Sequence, residues 1–457
     1  MDFRLTEEHL EFQRHCHAFA RDVLRPVAAR YDREQSVPYD IVLEARRRGL
    51  HGLDLLQRMG SDPHGQLMVI YAEELHWGCA GIALAISASS LAAAGIAASG
   101  TPEQIARWVP DCYGIGDEIK FGAYAVTEAG AGSDVRSLRT TARREDEEWV
   151  LNGTKVFISN GGIADVTVVV ATVDPELGHR GHASFIVPKG TPGFSMGKKE
   201  DKLGIRASQT AEVVLEDVHL PLDHLLGGIE KLEAKLERAR SGQRAGSSNA
   251  LATFEVTRPV VGASALGIAR AAYEWTLDYL EGRSDDGGPL LEQERVQQVL
   301  ADVATEIDAA RLLVQRAAWM GRNGEPMSGG QGSMSKLKGG DVAMWATTTL
   351  MDLIGPPASL TDHPLEKWFR DAKIFQLFEG TAEIQRLVIA RMQTAERRRR
   401  REESGEGVAG QTGANGGAPA GAGDVAGVLA GANGKAQEAT AEDSAATRSA
   451  TAETPAR

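Results

Sequence analysis

The apolar pattern of this chain changes period twice, and that double switch constrains the fold more than any single motif. Up to about residue 115 the apolar residues recur at helical spacing, with Leu5, Leu10, Phe12, Phe19, Val23 and Leu24 on one stripe before Pro26. From residue 120 to about 225 the spacing shortens to β-rich runs, and strands are expected over 166–172, 183–187 and 211–215. In Trp149-Val-Leu-Asn-Gly-Thr-Lys-Val-Phe-Ile-Ser an Asn-Gly pair lies between alternating runs, which reads as a hairpin turn. Helical spacing then returns over 261–280, 292–321, 333–354 and 364–378. The expected architecture is mainly α with a central β domain. A helical domain covers 1–119, the β domain 120–226 and a C-terminal helical bundle 227–396.

At 457 residues the chain is too long for one ordinary core, which agrees with several domains. Its net charge of −13 argues against a nucleic-acid partner, because phosphate binding needs a basic face. Cys16, Cys79 and Cys112 have no metal-ligand spacing and form no disulfide framework, so no metal and a cytoplasmic location are expected. The N-terminus lacks the apolar h-region of a signal peptide. The Ala-rich run 78–100 is interrupted by Ser and Gly and reads as a buried core helix, not a membrane span. Residues 397–457 open on five arginines, Arg397 to Arg401, and continue as a Gly/Ala/Glu/Thr-rich tail without aromatics. Such a tail cannot bury enough apolar surface to fold and is expected to be disordered.

Two stretches carry candidate chemistry. In 367–391 an apolar run (Ile374, Phe375, Leu377, Phe378) ends on Glu379; after Gly380, Thr381 looks like the N-cap or a first-turn residue of a new amphipathic helix. A carboxylate walled by Phe375 and Phe378 is placed where burial raises its pKa towards that of a general base. The plain alternative is a solvated residue at a helix break. The second stretch is Tyr124-Ala-Val-Thr-Glu-Ala-Gly-Ala-Gly-Ser-Asp134, where Gly130 and Gly132 allow close backbone approach and Thr127 and Ser133 offer hydroxyls. By itself it is also an ordinary Gly-rich loop.

In wording and order, Arg-Asp-Ala-Lys-Ile, Phe-Glu-Gly-Thr and Ile-Gln-Arg of the first stretch resemble the C-terminal signature of acyl-CoA dehydrogenases. The second stretch resembles the same family's Tyr-x-Val-Thr-Glu-x-Gly-x-Gly-Ser-Asp loop. The resemblance runs from near the start to about Arg391. It implies an N-terminal helical domain, a middle β-barrel-like domain and a C-terminal four-helix bundle, with FAD as cofactor and an acyl-CoA thioester as substrate. Glu379 would remove the α-proton while flavin N5 takes the β-hydride. Tyr124, Val126, Thr127, Ser133, Phe157, Ser159, Arg283, Thr381 and Glu383 would contact the cofactor, with Ser159 standing where a threonine is usual. Phe254, Glu255 and Arg258 of the run Phe-Glu-Val-Thr-Arg-Pro would contact substrate, together with Ser133, Phe378 and Gly380. Some relatives carry their base at the position of Thr257, which cannot serve, so Glu379 stands alone in that role. Electrons would leave to an electron-transfer flavoprotein.

Three departures from the family pattern stand out. The charged run 229–240 and the loop after it form an insertion over 229–250, either an exposed helix or, through Ile229, Leu232 and Leu236, a partner surface. Where the family has Arg-x-x-Phe-Gly, this chain has Arg283-Ser-Asp-Asp286-Gly287. Where it has a Gln and a Gly-Gly-x-Gly-Phe element, this chain has Asp352-Leu-Ile-Gly355-Pro356-Pro357. Both of the latter belong to the half-site one subunit lends its neighbour. The expectation is therefore an active subunit of a heteromer with a homologous second subunit. The competing readings are a homo-oligomer that holds FAD by other contacts and a non-catalytic scaffold subunit that no longer holds FAD.

Overall fold

The computed structural model describes residues 4–242 and 249–404, the side chains of 249–256 excepted. The chain begins with eight helices: α1 (Glu7–Phe19), α2 (Arg25–Glu34), α3 (Tyr39–Arg47), α4 (Leu53–Ser61), α5 (Gln66–Gly78), α6 (Ala80–Ser87), α7 (Ser89–Ser99) and α8 (Pro102–Asp111). A π-helical turn over Ala20–Leu24 links α1 to α2. Thr101 caps α8 through a capping box with Gln104 and leaves Pro102 at the first turn, where its missing N–H costs nothing. The Ala80–Ser99 stretch is long and apolar enough to cross a membrane by composition, but Ile82, Ala83, Ala92 and Ile96 are buried in protein.

Seven strands follow: β1 (Gly122–Ala125), β2 (Thr141–Glu145), β3 (Glu148–Ser159), β4 (Val166–Thr172), β5 (His182–Pro188), β6 (Phe194–Lys199) and β7 (Thr210–Pro221). They form one mixed sheet in the order β1-β4-β2-β3-β7-β6, with β5 also paired to β4. β1–β4 and the single β2–β4 bridge are parallel and the other pairings of this sheet antiparallel, so among the described residues there is no doubly wound sheet. The Asn-Gly expectation is corrected here. Asn152-Gly153 lies inside β3, at a shift in the β3–β7 register, and the β2–β3 turn instead falls at Asp146 (φ 49°). Gly153 is needed for another reason: a Cβ there would lie 2.5 Å from Thr140 Oγ1.

The insertion is corrected as well. It begins with helix α9 (Ile229–Arg240), whose Leu232 is buried and packs with Ile229 and Leu236 on the sheet around Trp149. Its polar side is tied down too, since Arg240 pairs with Asp174 at 2.8 Å and Lys231 donates to the Ser99 carbonyl at 3.3 Å. The apolar stripe is spent on this chain's own β domain.

Helix α10 (Asn249–Leu280) starts well before the expected residue 261 and runs through Pro259. A two-residue hairpin of β8 (Ser284–Asp285) and β9 (Gly288–Pro289) leads into α11 (Glu294–Arg322), α12 (Gln331–Ile354), α13 (Leu365–Ala372) and α14 (Ala382–Glu403). The helix expected over 364–378 is shorter: α13 stops at Ala372 and a 3₁₀ turn covers Lys373–Gln376. Helix α14 continues past residue 396, and its arginines form a solvated end, with Arg399 and Arg400 on Glu396 at 2.9 Å. The disorder expected over 397–457 is thus corrected for 397–403, which continue the helix, and the rest of that tail, 405–457, lies outside the described residues. The helices at the two ends share one core, in which Phe12, Leu75, Leu266, Val303, Ala343 and Phe375 are all buried.

Candidate active site

Glu379 sits between two differently built segments. The 3₁₀ turn after α13 ends the apolar run, and Thr381 opens α14 by accepting the Ile384 N–H on its hydroxyl at 3.3 Å. To join them the chain takes left-handed geometry twice, at Glu379 (φ 51°) and Gly380 (φ 90°). Glutamate rarely adopts that region, so its presence marks a constrained site. Gly380 has a further reason to be glycine, because a Cβ there would lie 2.5 Å from Gln385 Nε2.

Helix α13 is fastened to its surroundings, which fixes where this turn lies. Arg370 reaches Asp32 of α2 at 2.8 Å and the Leu203 carbonyl at 3.0 Å. Asp371 accepts the Ile205 N–H at 2.6 Å and the Lys367 ammonium at 2.5 Å. All three domains therefore meet at the helix that precedes Glu379. Phe375 is buried and meets Phe378 edge to face, with ring centroids 5.0 Å apart.

The Glu379 carboxylate is desolvated by its surroundings, which raises its pKa; the Thr257 hydroxyl and then the Lys336 and Arg258 charges oppose that rise. Thr257 Oγ1 donates to Glu379 Oε2 at 2.5 Å. The position where some relatives were expected to carry their base thus faces the same carboxylate from α10. Arg258 is buried and donates to Ser333 of α12 at 3.1 Å. Phe254 and Glu255 share α10, but their side chains lie outside the described residues. Lys336, buried on α12, donates to the Gly380 carbonyl at 2.7 Å, and burial brings its pKa down to about 8. Sequence reasoning singled out neither Lys336 nor the Thr257 hydrogen bond, because nothing local places α10 and α12 beside residue 379.

The Gly-rich loop follows β1. Val126 is buried in a small cluster with Ala131, Leu138 and Val170, and Tyr124 packs its ring under α7, where a Cβ on Gly95 would come within 2.5 Å. Of these two residues, the loop would offer a ligand mainly backbone. Thr127 is half-buried and Ser133 exposed, and neither Gly130 nor Gly132 has an atom within 4 Å of an added Cβ. A buried pair braces the loop from beneath. Lys155 of β3 donates to Glu128 at 2.8 Å and to the Val126 carbonyl at 2.9 Å, while Glu128 also accepts the Arg139 and Thr140 N–H groups. The pair holds Glu128 below the usual carboxylate range, and burial lowers Lys155 to about 8. Phe157 is 64% exposed with φ 58°, at a second shift in the β3–β7 register, and Ser159 is exposed two residues on. An exposed aromatic held out on a bulge, beside a loop with open space at two glycines, fits a flat ring system such as an isoalloxazine.

The remaining expected residues lie apart from the turn or only flank it. Arg283 turns back on its own helix, donating to the Tyr279 carbonyl at 2.6 Å and lying 4.0 Å over that ring. Glu383 is exposed in the first turn of α14, where its own backbone N–H and Thr381 lower its pKa.

Comparison with known proteins covers nearly all of the described chain. The N-terminal, middle and C-terminal domain models of acyl-CoA dehydrogenase match residues 6–114, 123–218 and 244–394. The chain is 37% identical over 388 residues to the mitochondrial short-chain specific acyl-CoA dehydrogenase of Rattus norvegicus, covering 84% of this chain and 90% of that protein. It is also 37% identical to the acryloyl-CoA reductase (NADH) of Anaerotignum propionicum, over 86% of this chain and 95% of that one. Among solved structures, butyryl-CoA dehydrogenase of Megasphaera elsdenii superposes with a TM-score of 0.77 at 35% identity, covering 85% of this chain and 99% of the other. A chain from a structure described as the electron transferring flavoprotein of Acidaminococcus fermentans gives 0.75 at 33%, covering 86% and 99%.

Proposed function

The chain belongs to the acyl-CoA dehydrogenase family of FAD-dependent oxidoreductases, and on that premise we propose that it dehydrogenates a short acyl-CoA thioester with Glu379 as the base. FAD, when bound, supplies the hydride acceptor, and Thr127, Ser133, Phe157 and Ser159 are the residues proposed to hold it. The observation that carries the reading is the Glu379 carboxylate itself. It is held in a left-handed turn, its pKa is raised by burial, and a hydroxyl orients one of its oxygens. A base with a raised pKa is better matched to the weakly acidic α-proton of a thioester. Electrons leave to an electron-transfer flavoprotein.

Glu379→Gln keeps the shape and removes the basic lone pair. Turnover of butyryl-CoA should fall by about two orders of magnitude or more with FAD content unchanged. Near-native turnover in that variant would sink the assignment.

A second element of the proposal is that the chain acts in a heteromer, two copies of each subunit with one FAD per unlike pair. Arg283 is folded back on Tyr279, and Asp285 is engaged by Arg295 and Gln293, so this hairpin is satisfied within its own subunit. Asp286 and Asp352 are exposed acids where a neighbour's cofactor would require the opposite charge. The chain expressed alone should be poor in flavin, and co-expression with a homologous subunit should restore it. A homotetramer with one tightly held FAD per subunit and full activity would overturn this element.

A further inference from the structure

The turn that presents Glu379 is held by two buried side chains from different helices. Gln385 of α14, fully buried, donates through Nε2 to the carbonyls of Glu379 and Gly380 at 3.1 and 3.2 Å. Lys336 of α12, 1% exposed, donates to the same Gly380 carbonyl at 2.7 Å. Among the described residues the hydrogen-bond partner of this ammonium is a carbonyl and not a carboxylate. A buried lysine is costly, and a methionine would fill similar space without the desolvation penalty. What the lysine adds is a donor to the turn and a positive charge beside the carboxylate. The charges that act on it are Glu379, Glu383 of the same segment, Asp341 of its own helix and Arg258 of α10. Those on Glu379 are Lys336 and Arg258, with Thr257 as its hydrogen-bond donor.

We propose that Lys336 is a positioning residue for proton abstraction: by holding the Gly380 carbonyl it keeps the Glu379 carboxylate aimed, and its charge keeps that carboxylate ionised. The proposal rests on the reading of Glu379 as the base. It also accounts for the balance between the two groups, since Glu379 is the charge that most opposes the fall in the Lys336 pKa. Losing either charge destabilises the charged form of the other.

The test compares Lys336→Gln, which keeps a neutral donor, Lys336→Met, which removes donor and charge, and Glu379→Gln, each as the FAD-loaded assembly. Butyryl-CoA turnover is followed against pH, and difference infrared spectroscopy follows the protonated carboxyl band of Glu379, identified by its loss in Glu379→Gln. Lys336→Met should lower kcat about tenfold or more with little change in KM. In both lysine variants the acid limb of the kcat profile should move to higher pH, and the carboxyl band should persist to higher pH. Lys336→Gln should lose less kcat than Lys336→Met. An unchanged limb and band in Lys336→Gln would overturn the proposal, whether or not Lys336→Met folds. Full turnover by Glu379→Gln would instead remove the base assignment beneath it. An inactive Glu379→Gln with native-like lysine variants would refute the role of Lys336 alone.

Discussion

Replacing Thr257 with valine removes one hydroxyl at nearly constant volume, and that hydroxyl donates to Glu379 Oε2 at 2.5 Å. A hydrogen bond to a charged acceptor contributes about 1.5–3 kcal/mol, and a pKa unit corresponds to about 1.4 kcal/mol. The loss should therefore raise the Glu379 pKa, already raised by burial, by about one to two further units. The active form of a base is the unprotonated one. The ascending limb of kcat against pH must then move to higher pH by that amount. At any pH below both values turnover falls about 10- to 100-fold, and above both it recovers. Stability follows the opposite course. A carboxyl with a raised folded-state pKa binds its proton more readily folded than unfolded, so its contribution to stability declines as pH rises from the unfolded to the folded pKa. Thr257→Val widens that interval. Stopped-flow flavin bleaching across a pH series measures the limb, and urea melts at two pH values measure the linkage. A limb that stays in place, or moves to lower pH, would refute the reasoning.

Three further outcomes follow from the packing. Lys155→Met leaves the Glu128 carboxylate buried without its cation, so urea denaturation should show a loss of about 3–5 kcal/mol, and restored stability in Lys155→Met/Glu128→Gln would identify the pair as the cause. Gly204→Ala places a Cβ 2.3 Å from the Arg370 carbonyl, backbone that cannot swing aside, so the variant should melt lower and lose activity through the displaced α13. Leu232→Ala removes the buried centre of the contact between α9 and the sheet, so cleavage within α9 by a protease should speed up while turnover per flavin is unchanged.

The order of the architecture was legible from the chain itself, because period-2 and period-3.6 apolar spacing require different backbones to bury one face. That is why 166–172 reads as a strand and coincides with β4, and why Thr381 reads as a helix start, where the structure makes it the N-cap. The family wording around Glu379 and in the 124–134 loop was legible for the same local reason, since each is a single continuous stretch. Where two structures share one local pattern, spacing could not decide. Asn152-Gly153 suits a hairpin turn or a bulge, and only pairing with β7 selects the bulge. The stripe of α9 suits a foreign partner or the chain's own sheet, and only the apolar face around Trp149 settles which. The surroundings of Glu379 were the least legible part. Thr257 lies 122 residues away and the Lys336 contact spans 44 residues, and no local periodicity couples such positions. Which base types the site could use was written in the residues. The pKa of the chosen carboxylate was decided by helices α10 and α12, because desolvation and charge act through space and not along the chain.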